Sequence, residues 1–270
     1  QRFRKYQCEN GAVKIWHNTG LVDQLTMPSV GSAWLLGDGA FETLRTYDSK
    51  AFELQRHIER LLQTLKFLQV SAPSASEIEG AVKSVIDANP CTPFGRLRIT
   101  VYGDGEWFVT HSEYQVLDKP LSVNRYFRRL QSGAGLAGHK SSSYAENALA
   151  LRTARAQGFD DSIFVNERDE VVESALANVI WLDGNRWFTP PLASGCLPGI
   201  TRALLIENFG VQEAVLPIST MESVQGLALS SSLREIVGIE RYEGNLYPTS
   251  KELKQLQTSF SSWVLGKLAL

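Results

Sequence analysis

Cysteine is scarce in this chain. Cys8, Cys91 and Cys196 are the only three in 270 residues, an odd number at unrelated spacings with no CxxC pair. That pattern offers neither a disulfide framework nor a zinc site, and it fits a reducing compartment in which the three are ordinary thiols. The four histidines, His17, His57, His111 and His139, form no HxxxH or HExxH array, so no metal is expected. No apolar run is long enough for a membrane helix. There is no charge of one sign to attract nucleic acid or an anionic membrane: 27 Lys and Arg stand against 29 Asp and Glu, the net charge is −2, and the pI is near 6.2. Repeats and low-complexity tracts are missing too. The chain opens on Gln1 rather than methionine, which leaves room for a missing leader, and the residues present show no signal-peptide pattern. A cytoplasmic location and a small-molecule substrate are expected.

What remains is an ordinary globular composition, 43% hydrophobic and 21% charged, long enough for one large or two ordinary domains. Strand-like runs at Ala12–Trp16 and Ala40–Tyr47 lead to the turn Asp48-Ser49-Lys50 and a further run at Ala51–Leu54, which predicts a hairpin. From His57 the spacing changes to Leu61, Leu65, Leu68, and after the break at Ala72-Pro73-Ser74 it resumes at Ile78, Ala81, Val82, Val85, Ile86. Two amphipathic helices follow the hairpin. Leu97–Tyr102 and Trp107–Thr110 read as strands around Gly103-Asp104-Gly105. Apolar periodicity fades over Ser112–Pro120, placing a linker at about 116–120 between domains 1–115 and 121–270. Beyond it the pattern predicts a helix over Ser142–Ala156, a hairpin through Ile163–Val165 and Val171–Val172, strands at Val179–Trp181 and Trp187–Thr189, and a helix over Ile200–Asn208. Strict βαβ alternation is lacking, so the class is α+β.

The second half carries a distinctive series: Gly138-His139-Lys140 with Tyr144 and Asn147, then Glu173-Ser-Ala-Leu-Ala-Asn178, Thr189-Pro190-Pro191 and Leu197-Pro198-Gly199-Ile200-Thr201-Arg202. In the first half, Gly37-Asp38-Gly39-Ala40-Phe41-Glu42-Thr43-Leu44-Arg45 and His57-Ile58-Glu59-Arg60-Leu61 complete it. The whole resembles the class IV aminotransferase family of pyridoxal-phosphate enzymes, which includes branched-chain and D-amino acid aminotransferases and aminodeoxychorismate lyase. The resemblance implies the fold-type IV architecture: a small α/β N-terminal domain, a larger β-rich C-terminal domain, pyridoxal 5'-phosphate at their interface, and a homodimer.

It also implies roles. Lys140, alone a solvated surface lysine, becomes the residue that forms the Schiff base and then moves the proton, chemistry that a desolvated lysine beside a cation performs when its pKa is lowered. Glu173, otherwise a solvated turn residue, becomes the anion on the pyridine nitrogen that strengthens the cofactor as an electron sink. Ile200 and Thr201 open a helix directly after Pro198-Gly199, so unpaired amides and the positive end of the dipole face outward there, an anion site. Arg60 matches the family's phosphate-binding arginine, against the alternative of an exposed charge on an amphipathic helix. Tyr144 and Asn178 match cofactor-site positions, Asn178 more as a structural residue than a catalytic one. Strand alternation puts Phe41, Thr43 and Arg45 on one face. Phe41, Arg45 and Arg98 are the substrate candidates, Thr43 an aid to proton transfer, and for both arginines a structural salt bridge is the equal alternative.

Within the family, Phe41-Glu42-Thr43 departs from the Phe-Glu-Gly of branched-chain enzymes. The Gly103–Trp107 loop lacks the Arg-x-His trap of D-amino acid enzymes. With Ser232-Leu233-Arg234-Glu235-Ile236, the chain looks most like the lyase branch, which converts 4-amino-4-deoxychorismate to 4-aminobenzoate and pyruvate in folate biosynthesis; transamination of branched-chain or D-amino acids is the alternative. The segment Ser29-Val30-Gly31-Ser32-Ala33 replaces the Asp-Arg-Gly common before the Gly-Asp-Gly motif. Two other readings are weaker. Gly133-Ala-Gly135-Leu-Ala-Gly138 is formally a dinucleotide fingerprint, but Asn124–Leu130 before it reads as too charged for a buried parallel strand. A binding protein that has lost catalysis is disfavoured by the joint presence of Lys140, Glu173, Arg60 and Thr201.

Overall fold

The computed structural model describes residues 13–26, 32–116 and 119–269. Ala12, Cys8, residues 29–31 of the unusual segment before the Gly-Asp-Gly motif, and Asp118 of the expected linker lie outside them. The chain divides into two compact units, Gln1–Gln115 and Val116–Leu270.

The first unit is a six-stranded sheet backed by helices. Its elements are β1 (Ile15–His17), β2 (Gly20–Val22), α1 (Ser32–Leu36), β3 (Gly39–Tyr47), β4 (Lys50–Ala51), α2 (Leu54–Phe67), α3 (Ala75–Ala88), β5 (Phe94–Tyr102) and β6 (Trp107–Glu113), in sheet order β2-β1-β6-β5-β3-β4. The β3–β4 hairpin turns on Asp48 and Ser49, both at positive φ, as a tight turn matching strand twist requires. Leu54 starts α2 instead of ending a strand, because the apolar run is shared between the short β4 and the first helical turn. α3 begins at a full capping box of Ser74 and Glu77. Ala40 and Leu44 of β3, Leu97, Ile99 and Val101 of β5, Ile58, Leu61 and Leu65 of α2, and Ile78 and Val82 of α3 form one buried cluster.

The second unit contains β7 (Leu121–Leu130), α4 (Ala145–Ala156), β8 (Asp161–Asn166), β9 (Val171–Ser174), β10 (Asn178–Asp183), β11 (Arg186–Thr189), α5 (Ile200–Phe209), β12 (Gln212–Glu213), β13 (Gly226–Ser231), β14 (Glu235–Tyr242), β15 (Asn245–Leu246) and α6 (Lys251–Ala269). The sheet runs β12-β11-β10-β13-β14-β7-β8-β9, and β9 also pairs with β10 through Glu173 and Asn178. That bridge closes six strands into a barrel, which removes two open edges. Val123, Ile163, Val171, Val179, Trp181, Leu227, Leu229 and Ile239 fill its inner face. The outer face carries Tyr126, Phe164 and Val172, which pack with Ala150 of α4 and with Cys196 of the loop before α5.

One expectation is overturned here. The charged run Asn124–Leu130 lies within β7, which pairs in parallel with both β14 and β8. Its first half is buried, at Leu121, Val123, Asn124 and Tyr126, while Phe127, Arg128 and Arg129 at the far end are exposed, so the strand carries its charge where it leaves the core. The dinucleotide reading gains nothing from this, because Gly133–Gly138 is a chain of turns that opens no helix. Among the described residues no helix is long and apolar enough to cross a membrane, and no group of three or more His, Cys, Asp or Glu could hold a metal ion.

Candidate active site

On the second unit, a β-bulge sets the geometry. Ile163 and Val165 of β8 face Ser174 and Val171 of β9, so two β8 positions are matched by three steps along β9. A bulge of this kind re-aims a side chain. Val172 and Glu173 consequently both point away from the barrel interior, and Glu173 lies inside β9 instead of just past a strand. Its partner across the closing bridge is Asn178, and Asn178 is in turn opposite Ser230 of β13. Directly opposed residues share a face. Glu173, Asn178 and Ser230 thus form a polar row on the outer side of the barrel.

The amino end of α5 is held over this row. Leu197 N–H donates to Glu173 Oε2 at 3.1 Å, and Asn178 Nδ2 donates to the Leu197 carbonyl at 2.9 Å and to Glu173 Oε2 at 3.4 Å. Gly199, the residue before α5, has ordinary extended angles, but a Cβ on it would come 1.9 Å from Asn178 Oδ1. Glycine is required there for close approach, not for an unusual φ. Since Gly199 supplies no side-chain cap, the first-turn amides of α5 receive none, and Thr201 lies within that turn instead of capping it. Ile200 and Thr201 are both buried. Nearby, the Ser230 Oγ is buried and makes no hydrogen bond among the described residues. Buried hydroxyls without partners are rare, and this one is aimed from the same face as Asn178.

Lys140 is half-buried, with Nζ 5.6 Å from the centre of the Tyr144 ring. Tyr144 and Asn147 both donate to the Ala175 carbonyl, at 3.3 and 3.0 Å, which ties the Lys140 segment to the turn after Glu173. Beneath them the Cys196 thiol is pushed up to about 11, by burial first and by the Glu173 charge second. The structure therefore brings Lys140, Tyr144, Glu173, Asn178, Ile200 and Thr201 onto one side of one unit. Ser230 was missed by the sequence reading, and its signal lay in the register of β13 against β10, which no local pattern reveals.

On the first unit, Gly39 opens β3 so close to β5 that a Cβ would sit 2.3 Å from the Val101 carbonyl. Phe41, Thr43 and Arg45 do share a face of β3, and Thr43 is directly opposite Arg98. The Arg98 guanidinium lies 4.0 Å from the centre of the Phe41 ring and donates to Thr100 Oγ1 at 3.1 Å. Arg45 is buried and stacked on Phe94 at 4.1 Å and Tyr47 at 4.6 Å. It is packed among rings.

Arg60 is not an exposed helix charge. It is 8% exposed, and its Nε and Nη2 donate to the two oxygens of Glu42 at 2.7 Å each. His57 Nδ1 lies 2.7 Å from Glu42 Oε2. The i, i+3 spacing of His57 and Arg60 puts both on the face of α2 that meets Glu42, which shares the core side of β3 with Ala40 and Leu44. Burial opposes the Glu42 charge, but the Arg60 guanidinium and His57 outweigh it and hold the carboxyl far below the usual carboxylate range. Glu42 was read only as part of a motif. A lone acid on the buried face of an otherwise apolar strand was the available signal.

The barrel thus carries an uncapped helix end, a fixed carboxylate and a half-buried lysine on one side. Comparison with known proteins identifies the class: residues 39–242 match the family model for amino-transferase class IV, and the chain belongs to that family of pyridoxal-phosphate enzymes. It is 31% identical to aminodeoxychorismate lyase of Bacillus subtilis (strain 168) over 201 residues, 65% of this chain and 66% of that one. The chain thus spans just under two thirds of that relative. Its fold matches a branched-chain aminotransferase of Thermoproteus uzoniensis crystallised with norvaline, with a TM-score of 0.89 and 23% identity over 95% of this chain and 96% of that one. It also matches a hypothetical aminotransferase of Mycobacterium tuberculosis in its PLP-bound form, with a TM-score of 0.84 and 24% identity over 94% and 99% of the two chains.

Proposed function

We propose that this protein is a lyase that converts 4-amino-4-deoxychorismate to 4-aminobenzoate and pyruvate with pyridoxal 5'-phosphate as cofactor. The observation that carries the cofactor reading is the Glu173 carboxylate fixed by the Leu197 amide at the approach to the uncapped end of α5. The residues suit the group. The first-turn amides of α5, the Thr201 hydroxyl and the orphan Ser230 hydroxyl are donors suited to a phosphate. An anchored carboxylate suits a pyridinium nitrogen. A half-buried lysine suits an aldehyde.

In this reading Lys140 would hold the cofactor, and its amine, once replaced by the amine of the substrate, would take the proton from the substrate carbon that bears nitrogen. Glu173 keeps the ring nitrogen protonated, Tyr144 and Asn178 keep Lys140 and Glu173 in place, and Ile200, Thr201 and Arg60 take the phosphate charge. When bound, the cofactor supplies a sink for the electron pair left by that proton. Phe41, Arg45 and Arg98 contact substrate, and Thr43 assists proton transfer. The lyase branch is favoured by Thr43 in place of glycine and by the likeness to the Bacillus lyase. We also assign the protein a homodimeric state, a cytoplasmic location and a place in folate biosynthesis.

Purified protein is expected to be yellow, and borohydride reduction should leave the cofactor attached to Lys140 in peptide mass spectra; a Lys140→Ala variant should lack both signals. Incubation with 4-amino-4-deoxychorismate should release 4-aminobenzoate and pyruvate in equal amounts. Colourless protein that takes up no pyridoxal phosphate overturns the cofactor reading. Transamination of amino-acid and keto-acid pairs without lyase activity overturns the lyase assignment alone.

A further inference from the structure

Behind Glu173, on the inner face of the barrel, lies a charge that the chemistry above does not use. Asp161 opens β8, opposite Val123 of β7, and is fully buried. Burying a carboxylate is costly unless it is paired and hydrogen-bonded, so its partners matter. Asp161 Oδ1 accepts from Ser162 N–H at 2.8 Å, and Oδ2 accepts from the Ser174 hydroxyl at 3.0 Å. Nη1 of Arg234, in the loop between β13 and β14, lies 3.8 Å from Oδ2 and makes no hydrogen bond among the described residues. Burial still dominates and pushes the Asp161 carboxyl up.

Ser174 passes this contact on. Having given its one proton to Asp161, its oxygen accepts the amides of Ala177 at 3.0 Å and Leu176 at 3.3 Å, and its own amide donates to the Ala177 carbonyl at 2.7 Å. These bonds define the turn whose two ends are Glu173 and Asn178. The same turn presents the Ala175 carbonyl to Tyr144 and Asn147. Arg234, for its part, donates its backbone N–H at 3.3 Å to the Oγ of Ser231, the last residue of β13 and the neighbour of Ser230. One buried carboxylate therefore joins three connections: the start of β8, the β9–β10 turn and the β13–β14 loop.

We propose that Asp161, working through Ser174 and Arg234, is the positioning residue that fixes the Glu173–Asn178–Ser230 row for the cofactor, an inference that rests on the pyridoxal-phosphate reading above. Two acceptor oxygens are needed because of proton direction. An asparagine at 161 keeps an acceptor for Ser162 but sets an N–H₂ against the Ser174 hydroxyl, or else turns its oxygen there and loses Ser162. In the first case Ser174 must accept a third hydrogen bond, and its hold on Leu176 and Ala177 weakens.

The test uses the full chain with Asp161→Asn, Ser174→Ala, Arg234→Met and Arg234→Lys, and Val264→Ala in α6 as a control that removes buried volume elsewhere in the same unit. Two quantities are read: amide hydrogen exchange at Leu176 and Ala177 in cofactor-free protein, and the equilibrium constant for pyridoxal phosphate with the pH at which the bound chromophore changes absorbance. Asp161→Asn is expected to speed exchange at those two amides about ten-fold, weaken cofactor binding about five-fold or more and shift the absorbance titration, the scale of one lost charge-assisted hydrogen bond. Arg234→Met should act in the same direction, Arg234→Lys should restore most of the loss, and the Asp161→Asn, Arg234→Met double variant should be no worse than the poorer single one. Ser174→Ala keeps the ion pair and tests the same link should Asp161→Asn fail to fold. If both the exchange and the cofactor constant stay at wild-type values while only thermal stability falls, as for Val264→Ala, the inference is wrong. Wild-type protein that binds no pyridoxal phosphate removes the reading on which it rests.

Discussion

Replacing Glu42 by glutamine tests the buried charge cluster of the first unit with little change of shape. The wild-type carboxylate is fully buried and receives three close contacts of 2.7 Å, two from Arg60 and one from His57. Glutamine offers one acceptor oxygen, and its NH₂ must face at least one N–H donor of Arg60, so in cofactor-free protein a charge-assisted hydrogen bond is lost and the guanidinium is left buried without its Glu42 counter-charge. Breaking a buried pair in this way costs about 3–5 kcal/mol, and the retained oxygen argues for the lower end, about 3 kcal/mol, or roughly 150-fold in the unfolding constant. The pH dependence supplies a second, independent sign. Because the folded carboxyl titrates below its usual range, the unfolded chain binds the extra proton, and the stabilisation is present above about pH 5 and lost as pH falls through the unfolded value near 4.5 and on toward the folded one. Native-state hydrogen exchange on peptides from β3 and β5 reads this unit directly, with peptides from β10 and β13 as internal reference. The expectation is a loss of protection in Glu42→Gln at pH 7 that narrows markedly by pH 3. A difference smaller than about 0.5 kcal/mol at pH 7, the ordinary scatter of surface substitutions, or a full difference persisting at pH 3, refutes the electrostatic account.

Two further outcomes follow from the geometry. Gly199→Ala places a methyl 1.9 Å from Asn178 Oδ1 at backbone angles that alanine accepts easily, so its effect is purely steric; loss of the Asn178 bond to Leu197 should weaken pyridoxal-phosphate binding about ten-fold in an absorbance titration. Arg98→Met removes a cation stacked on Phe41 from a half-buried strand position, so the bound-cofactor band should stay unchanged while KM rises about ten-fold and kcat moves little, the mark of lost ground-state binding in steady-state assays.

Much of the fold was legible where the signal is local. The run from Ala40 to Tyr47, the Asp48–Ser49 turn and the helical spacing of Leu61, Leu65 and Leu68 all appear as β3, a hairpin and α2, because period and turn chemistry are properties of neighbouring residues. Helix starts were less clear. α4 begins at Ala145 instead of Ser142, since the small polar residues before it bond in turns instead of opening the helix. β7 was misjudged because its charge was averaged over the strand, whereas the structure separates a buried half from an exposed one. Barrel closure was out of reach: the β9–β10 bridge and the β14–β7 pairing depend on long-range register. At the site, Lys140, Glu173 and Thr201 stood out only as a series. Glu42, Asp161 and Ser230 did not, because the role of each comes from a partner at least thirteen residues away across strands or helices.

The residues of the barrel's closing bridge, Glu173 and Asn178, also belong to the candidate cofactor site, and that coincidence has a physical origin. Three pairings of the six-strand ring carry register shifts, and the one between β8 and β9 falls beside the closing bridge, at Val172–Glu173. The bulge leaves two consecutive side chains on the outside, one apolar and held beneath α4, the other a carboxylate with no place in the core. Glu173 must then find donors where it stands, and it takes the Leu197 amide of the segment leading into α5. A carboxylate anchored there lies near the positive end of a helix that needs no anion from the chain itself. The fold thus gathers an acceptor and a set of donors on one side without either neutralising the other, a polarity matched by a cofactor with a cationic ring and an anionic tail. Lys140, beside Tyr144 on the segment tied to the same turn, supplies the amine at the edge of that arrangement. Its assignment rests on the closure of the barrel as much as on its own place in the sequence.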